Sequence, residues 1–237
     1  MAGAENGGSG SGSGSDLVLL DVFGSPYAQR VRIALAEKGL AYERAEEDLA
    51  AKSDLLRRSN PAHGGKVPVL LHAGRPVCES LIILEYLDEA FPATPPLLPA
   101  DPYARARARF WAEYAGRAHH CGKRLWLRRD DGEAAEPEPE ARAELLAVLR
   151  ALDAELGGRE FFGGEAFGFV DVAAAPFAAW FLTYERHGRF DVAEECPGLA
   201  AWAARCARRD SVAANVYPPE KVYQLVLEYR QWVLGPK

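Results

Sequence analysis

Ser25 is the residue with the clearest capacity for chemistry. It stands in Phe23-Gly24-Ser25-Pro26-Tyr27, between a β-rich run, Leu17 to Phe23, and a stretch in which Tyr27, Val31, Ala34, Leu35 and Lys38 recur at helical spacing. Pro26 suits the first helical turn and Gly39 the stop, so Ser25 falls at a helix N-terminus. Unpaired amides and the helix dipole there favour an anion. Two roles stay open on the residues alone. One is a structural cap worth about 1 kcal/mol. The other is donation to a ligand's thiolate: a free thiol titrates near ~8.5, and each unit of lowering is worth about 1.4 kcal/mol. Such a hydroxyl stabilises the thiolate and is not its base. Acyl chemistry is disfavoured, because a hydrolase serine sits in Gly-x-Ser-x-Gly and needs a histidine base.

Glu79-Ser80 repeats the pattern at a second helix start, where Ser80 is expected to cap the helix or hold a carboxylate and Glu79 to pair with an ammonium group. Lys52 and Lys66 are basic residues able to bracket another carboxylate, although a solvated surface lysine is the commoner role. Together these groups suit a small zwitterion with more than one carboxylate. The adjacent His119 and His120 point apart on a helix and suggest no metal site. Arg105, Arg107, Arg109, Arg117, Lys123, Arg124, Arg128 and Arg129 make one helix basic, but interleaved acids favour a solvated or interface face. Phe110, Trp111, Tyr114, Trp180 and Phe181 supply aromatic area for the core or for an apolar pocket between domains. Asp171 falls at the third position of a helix capped by Gly168, which is a folding element without chemistry.

The elements that must position these residues follow from pattern. After the first strand and helix come a weaker strand, Tyr42 to Asp48, and a short helix, Ser53 to Ser59. Val67 to His72 and Arg75 to Cys78 flank Ala73-Gly74 and read as an antiparallel hairpin. Pro68 sits where a strand begins and cannot donate a ladder bond. The next helix carries Leu81, Leu84 and Leu87 as an apolar stripe and ends near Phe91-Pro92. This β-α-β-α-β-β-α unit, residues 16–92, is too thin to cover both sheet faces alone and must lean on another unit. Residues 93–102 form a proline-rich linker, and residues 103–237 an all-helical domain with helices at 104–127, 139–156, 170–184, 199–209 and 219–233. Residues 1–15, with six Gly and four Ser, read as a flexible tail.

Composition narrows the partners. With 28 Lys and Arg against 34 Asp and Glu, the formal net charge is −6, which gives no global attraction to nucleic acid or to an anionic membrane. Cys78, Cys121, Cys196 and Cys206 lack CxxC spacing and suit a reducing setting, cytosolic or nuclear. No signal-like segment and no long apolar run indicates export or membrane insertion.

From about Leu17 to Val233 the chain resembles the cytosolic glutathione S-transferases, most closely the plant tau class. The resemblance is carried in order by Ser25-Pro26-Tyr27 through Arg30-Val31-Arg32-Ile33-Ala34-Leu35, Lys52-Ser53, Asn60-Pro61, Lys66-Val67-Pro68-Val69-Leu70 and Pro76-Val77-Cys78-Glu79-Ser80. The helical half adds Arg109-Phe110-Trp111-Ala112, Phe169-Val170-Asp171-Val172, Cys196-Pro197 with Trp202, and Glu220-Lys221-Val222-Tyr223. It implies a thioredoxin-like N-terminal domain with a mixed four-stranded sheet, an all-α C-terminal domain, a cytosolic homodimer, and glutathione as cosubstrate with no prosthetic group and no metal. The implied activity is conjugation of glutathione to small hydrophobic electrophiles, with reduction of organic hydroperoxides on the side.

The resemblance also implies an activating hydroxyl at Ser25, a cis peptide at Pro68, γ-glutamyl contacts at Glu79 and Ser80, glycine-end contacts at Lys52 and Lys66, a backbone contact to the cysteinyl part at Val67, and electrophile contacts at Phe23, Tyr114 and Trp180. Two departures stand out. The loop Ala62-His63-Gly64-Gly65-Lys66 is one residue longer than the tau pattern and has one lysine fewer, which predicts a looser loop and a weaker grip on the glycine end. The tau pattern has a tryptophan near Phe23, so a wider pocket is expected. Two rival activities are a glutathione-dependent thiol transferase or dehydroascorbate reductase, which the serine in place of cysteine counts against, and a ligandin-like carrier of apolar metabolites.

Overall fold

The computed structural model describes residues 16–129 and 136–235. The tail expected at residues 1–15 lies outside the described residues. Strands β1 (Leu17–Asp21), β2 (Glu43–Glu46), β3 (Val69–His72) and β4 (Arg75–Cys78) form one mixed sheet in the order β2-β1-β3-β4. β1 runs parallel to β2 and antiparallel to β3, and β3 and β4 are antiparallel. The hairpin turns on Ala73 and Gly74, at φ +48° and +75°, the left-handed pair that a tight two-residue turn requires.

The alternation of a strand divides the core between two faces. Leu17, Leu19 and Leu70 pack toward helices α1 (Pro26–Glu37) and α3 (Ser80–Ala90), against Val31, Ile33, Leu35, Ile83, Leu84 and Leu87. On the other face Leu20, Val69 and Leu71 meet only Leu56 of the short helix α2 (Asp54–Ser59) among fully buried partners. The larger core continues without a break into the helical half, through α4 (Pro102–Trp126), α5 (Pro139–Leu156) and α6 (Phe169–Ala178), and the sheet unit leans on that half chiefly where α1 packs against α6.

The remaining helices are α7 (Phe181–Gly188), α8 (Val192–Glu195), α9 (Pro197–Ala207), α10 (Asp210–Ala213) and α11 (Pro219–Leu234). The single helix expected over 170–184 is therefore two. Pro176 lies inside α6 without an amide to donate, and the chain tightens until Trp180 N–H donates to Phe177 C=O at 3.0 Å, after which α7 begins. Gly122 lets α4 and α7 meet closely, because a β-carbon there would lie 2.2 Å from the Tyr184 ring. The buried Asp171 carboxylate accepts from the amides of Phe162 and Gly168, both at 3.0 Å, and from the Trp202 indole at 2.8 Å. Burial pushes its pKa up against these bonds, so the group ties α6 to α9 at an electrostatic cost. No described helix is long and apolar enough to cross a membrane.

Candidate functional site

Strand register brings three separated chain segments to one end of the sheet. Leu20 pairs with Val69, and Val69 with Cys78, so the chain leaving β1, the chain entering β3 and the chain leaving β4 are neighbours. Those three segments carry Ser25, Val67-Pro68 and Glu79-Ser80. The Val67–Pro68 peptide is cis.

Ser25 is the N-cap of α1 and is half-buried; its hydroxyl accepts from Ala28 N–H at 3.4 Å. The connection that presents it is held from behind. Ser25 N–H donates to Val22 C=O at 2.9 Å, and the Phe23 carbonyl accepts from Gln29 Nε2 at 3.2 Å and from an Arg32 guanidinium nitrogen at 2.7 Å. Arg32 is itself fixed by a buried ion pair with Asp21, which also accepts from Arg44 Nε at 2.7 Å. No acidic side chain lies in the first turn of α1 or of α3, so neither helix end is neutralised from within its own first turn.

At the second helix end, the expected serine cap is absent. Glu79 occupies the cap position, at φ +68°, and makes no side-chain cap bond. Its backbone conformation is one that a residue with a β-carbon adopts only when surroundings impose it. Ser80 is the first helical residue, and its hydroxyl accepts from Arg30 Nη1 at 3.1 Å. Arg30 is buried and also donates from Nε to Ala173 C=O of α6 at 2.7 Å, with Phe177 stacked 4.7 Å from the guanidinium carbon. Burial lowers the Arg30 pKa to about 10, which leaves it charged at neutral pH and makes the Ser80 end electropositive. The Glu79 carboxylate instead faces the loop before β3, with Oε1 2.5 Å from His63 Nδ1.

An apolar cavity of about 440 Å³ opens beside α1's N-terminus, lined by Gly24 and Pro26 on either side of Ser25, by His119, Lys123 and Trp126 of α4, by Trp180, and by Tyr217 with Leu225 and Tyr229 of α11. His119 is held among Trp180, Phe177 and Tyr27, with ring centroids 4.5, 5.5 and 6.0 Å away. Burial, with Lys123 and Arg30 nearby, lowers its pKa to about 4, so the imidazole is neutral at physiological pH. Among the described residues the cavity thus offers one cation, Lys123, and otherwise apolar or neutral walls.

Residues 15–89 match the family described as glutathione S-transferase, N-terminal domain, and residues 100–205 match its C-terminal domain. The chain is 59% identical over 222 residues to a probable glutathione S-transferase GSTU1 of rice (Oryza sativa subsp. japonica), covering 89% of this chain and 94% of the rice protein. The crystal structure of rice GST1 in complex with glutathione superposes with a TM-score of 0.86 at 57% identity, over 92% of this chain and all of that one. The tau-class enzyme of mango superposes with a TM-score of 0.79 at 36% identity, over 90% of this chain and 98% of its own.

The chain belongs to the tau class of the glutathione S-transferases.

Membership makes it a transferase with a thioredoxin-like N-terminal half, glutathione as cosubstrate and no need of a prosthetic group. In this glutathione S-transferase the residues that the resemblance pointed to are not all in one place. Trp180 lines the cavity, whereas Phe23 and Tyr114 do not. Phe23 stands behind Tyr217, 4.6 Å between centroids, and is covered by the guanidinium groups of Arg32 and Arg44 at 4.3 and 5.1 Å. Tyr114 stacks on Phe110 at 5.9 Å, with Trp111 at 5.2 Å, farther along α4. Tyr217, and not Phe23, lines the cavity beside α1.

Lys52 Nζ donates to Gly64 C=O at 2.7 Å, Gly65 N–H to Asn60 C=O at 2.8 Å, and Asn60 Nδ2 to Lys66 C=O at 3.0 Å. These bonds restrain a loop expected to be loose. The Lys66 side chain is exposed. Among the residues that the sequence reading missed are His119, Lys123 and Trp126, and Val222, Val226 and Tyr229. Their signal was present in both helices as one-faced spacing, with positions i, i+4 and i+7 on α4 and again on α11.

Proposed function

We propose that Ser25 donates its hydroxyl hydrogen to the glutathione sulfur at the N-terminus of α1 and holds it as the thiolate, poised for electrophiles bound against Trp180 in the adjoining cavity. One observation carries this reading: the half-buried cap serine stands between Gly24 and Pro26, both of which line the apolar cavity. A thiolate stabilised there faces the only reactant volume it needs, and proximity with electrostatic stabilisation supplies the rate. In the same reading Ser80 and Glu79 take the γ-glutamyl carboxylate and ammonium, Lys52 and Lys66 the glycine carboxylate, and the Val67 backbone the cysteinyl part. The cis Pro68 presents that backbone.

Residues 16–92 then act as the glutathione-binding unit, 93–102 as the linker and 103–237 as the electrophile-side domain. The same thiolate attacks the outer oxygen of an organic hydroperoxide as a side activity: the O–O bond breaks, the alcohol leaves, and the sulfenic acid formed on glutathione condenses with a second glutathione to give the disulfide and water. Exposed Ile82 of α3 and Phe110 of α4, beside the Arg109–Glu85 ion pair at 2.6 Å, support a homodimer formed through that face. A cytosolic setting accords with four free cysteines, whose thiols burial pushes up and away from reactivity.

The test is a pH titration of bound glutathione followed by thiolate absorbance. In the wild type the thiol should titrate well below its free value of about 8.5, and in Ser25→Ala it should return toward it. An unchanged titration in the variant would remove Ser25 from the mechanism.

A further inference from the structure

The first cavity has a counterpart on the far side of Tyr217. A second cavity of about 580 Å³ lies wholly within the helical half, between α6, α7, α9 and the start of α11, and Tyr217 lines both. Its volume lies within the range of about 300–1,000 Å³ typical of small-molecule sites. Ala178 of α6 and Ala200 and Ala203 of α9 furnish methyl walls, and among the described residues no lysine or arginine lines it. The charged groups that line it are Glu185 and Glu220. Glu185 is fixed in place, because its Oε1 accepts from Val192 N–H at 3.0 Å, and Glu220 is exposed at the rim.

We propose that this second cavity is a binding site for small apolar molecules carrying an ammonium group. Its charge is opposite to that of the first cavity, where Lys123 is the cation. An apolar anion, including any glutathione conjugate with its carboxylates, is repelled from the second cavity. A neutral molecule gains only the apolar walls, and an apolar ammonium compound gains both the walls and the carboxylates.

Titration calorimetry at neutral pH with 1-naphthylmethylammonium, 1-naphthylmethanol and 1-naphthylacetate tests the proposal on the full chain. The ammonium compound should bind more tightly than the alcohol, and the acetate least. Ala203→Phe, which fills the cavity, should abolish ammonium binding. Glu185→Gln combined with Glu220→Gln should weaken the ammonium compound by roughly two- to fivefold per carboxylate and leave the alcohol unchanged, since glutamine still accepts from Val192 N–H. This double variant keeps the test decisive if Ala203→Phe fails to fold. S-hexylglutathione should bind without displacing the ammonium compound.

Equal affinity for ammonium and acetate, retention of binding in folded Ala203→Phe, displacement by S-hexylglutathione, or no binding of the ammonium compound to the wild type would each overturn the proposal. Failure of S-hexylglutathione itself to bind would count against the glutathione site and leave the second cavity to the other measurements.

Discussion

Ser25 heads α1 from ordinary extended backbone, φ −73°, and accepts the Ala28 amide on its own hydroxyl, whereas Ser80 follows a left-handed Glu79, φ +68°, and accepts the Arg30 guanidinium instead. The two serines stand at the same end of the sheet and share a helix-dipole environment. The first is organised by neighbours within a few residues. The second is organised by a cation that is fifty positions away in sequence and anchored across the molecule on Ala173. A locally held hydroxyl can serve chemistry and be lost at little structural cost. A hydroxyl built into a buried ionic contact serves binding and stability together.

Ser25→Ala should give the largest effect and the widest split between function and folding. Turnover with an aromatic halide should fall about a hundredfold or more, as when a charge-stabilising donor is removed. Denaturant unfolding should register about 1 kcal/mol or less. Turnover that survives, or a fold that collapses, would dissolve the contrast with Ser80.

The Ser25 side also has a pH signature. His119 has a folded pKa of about 4, below the unfolded value of 6.5, so the unfolded chain takes up a proton first as pH falls. Its contribution to stability is complete above 6.5 and is lost as pH falls toward about 4, a loss of roughly 3 kcal/mol. His119→Gln should flatten the stability profile in that window, and an unaltered slope would show that the acid sensitivity arises elsewhere.

Ser80→Ala should couple what Ser25→Ala separates. It leaves one N–H of a buried guanidinium without its acceptor, a loss of about 1–3 kcal/mol in unfolding free energy. The KM for glutathione should rise while kcat changes little. A stability equal to wild type would mean that Arg30 finds another acceptor.

Glu79→Gly is the smallest and most discriminating change. Glycine tolerates φ +68° without strain, so stability should rise by up to about 1 kcal/mol even as the KM for glutathione increases. A less stable variant would show that the Glu79–His63 contact outweighs the backbone strain.

Much of the N-terminal half was legible because its signals are short-ranged. The Gly-Ser-Pro connection, the Ala73-Gly74 hairpin and the apolar stripe of α3 each lie within a few residues of the element they announce. The helical half was legible as helices but not as a site. Pro176 splits an apolar run that periodicity alone reads as one helix, and Phe23 and Tyr114 offered aromatic rings that packing turned elsewhere. His119, Lys123 and Trp126 form a plain one-faced stripe, yet nothing in its spacing says whether that stripe meets core or cavity.

What the sequence determined by itself was a serine at a helix head, the strand and helix order around it, and a family resemblance running almost the whole length of the chain. What only tertiary structure decided was which residues share that serine's surroundings. Strand register set Ser25, Pro68 and Glu79 at one end of the sheet, Arg30 fastened Ser80 to the helical half, and Tyr217 parted two cavities of opposite charge. Caps and turns are fixed by atoms a few bonds apart and therefore leave a pattern in sequence. Contacts closed over fifty to two hundred residues depend on how whole elements pack.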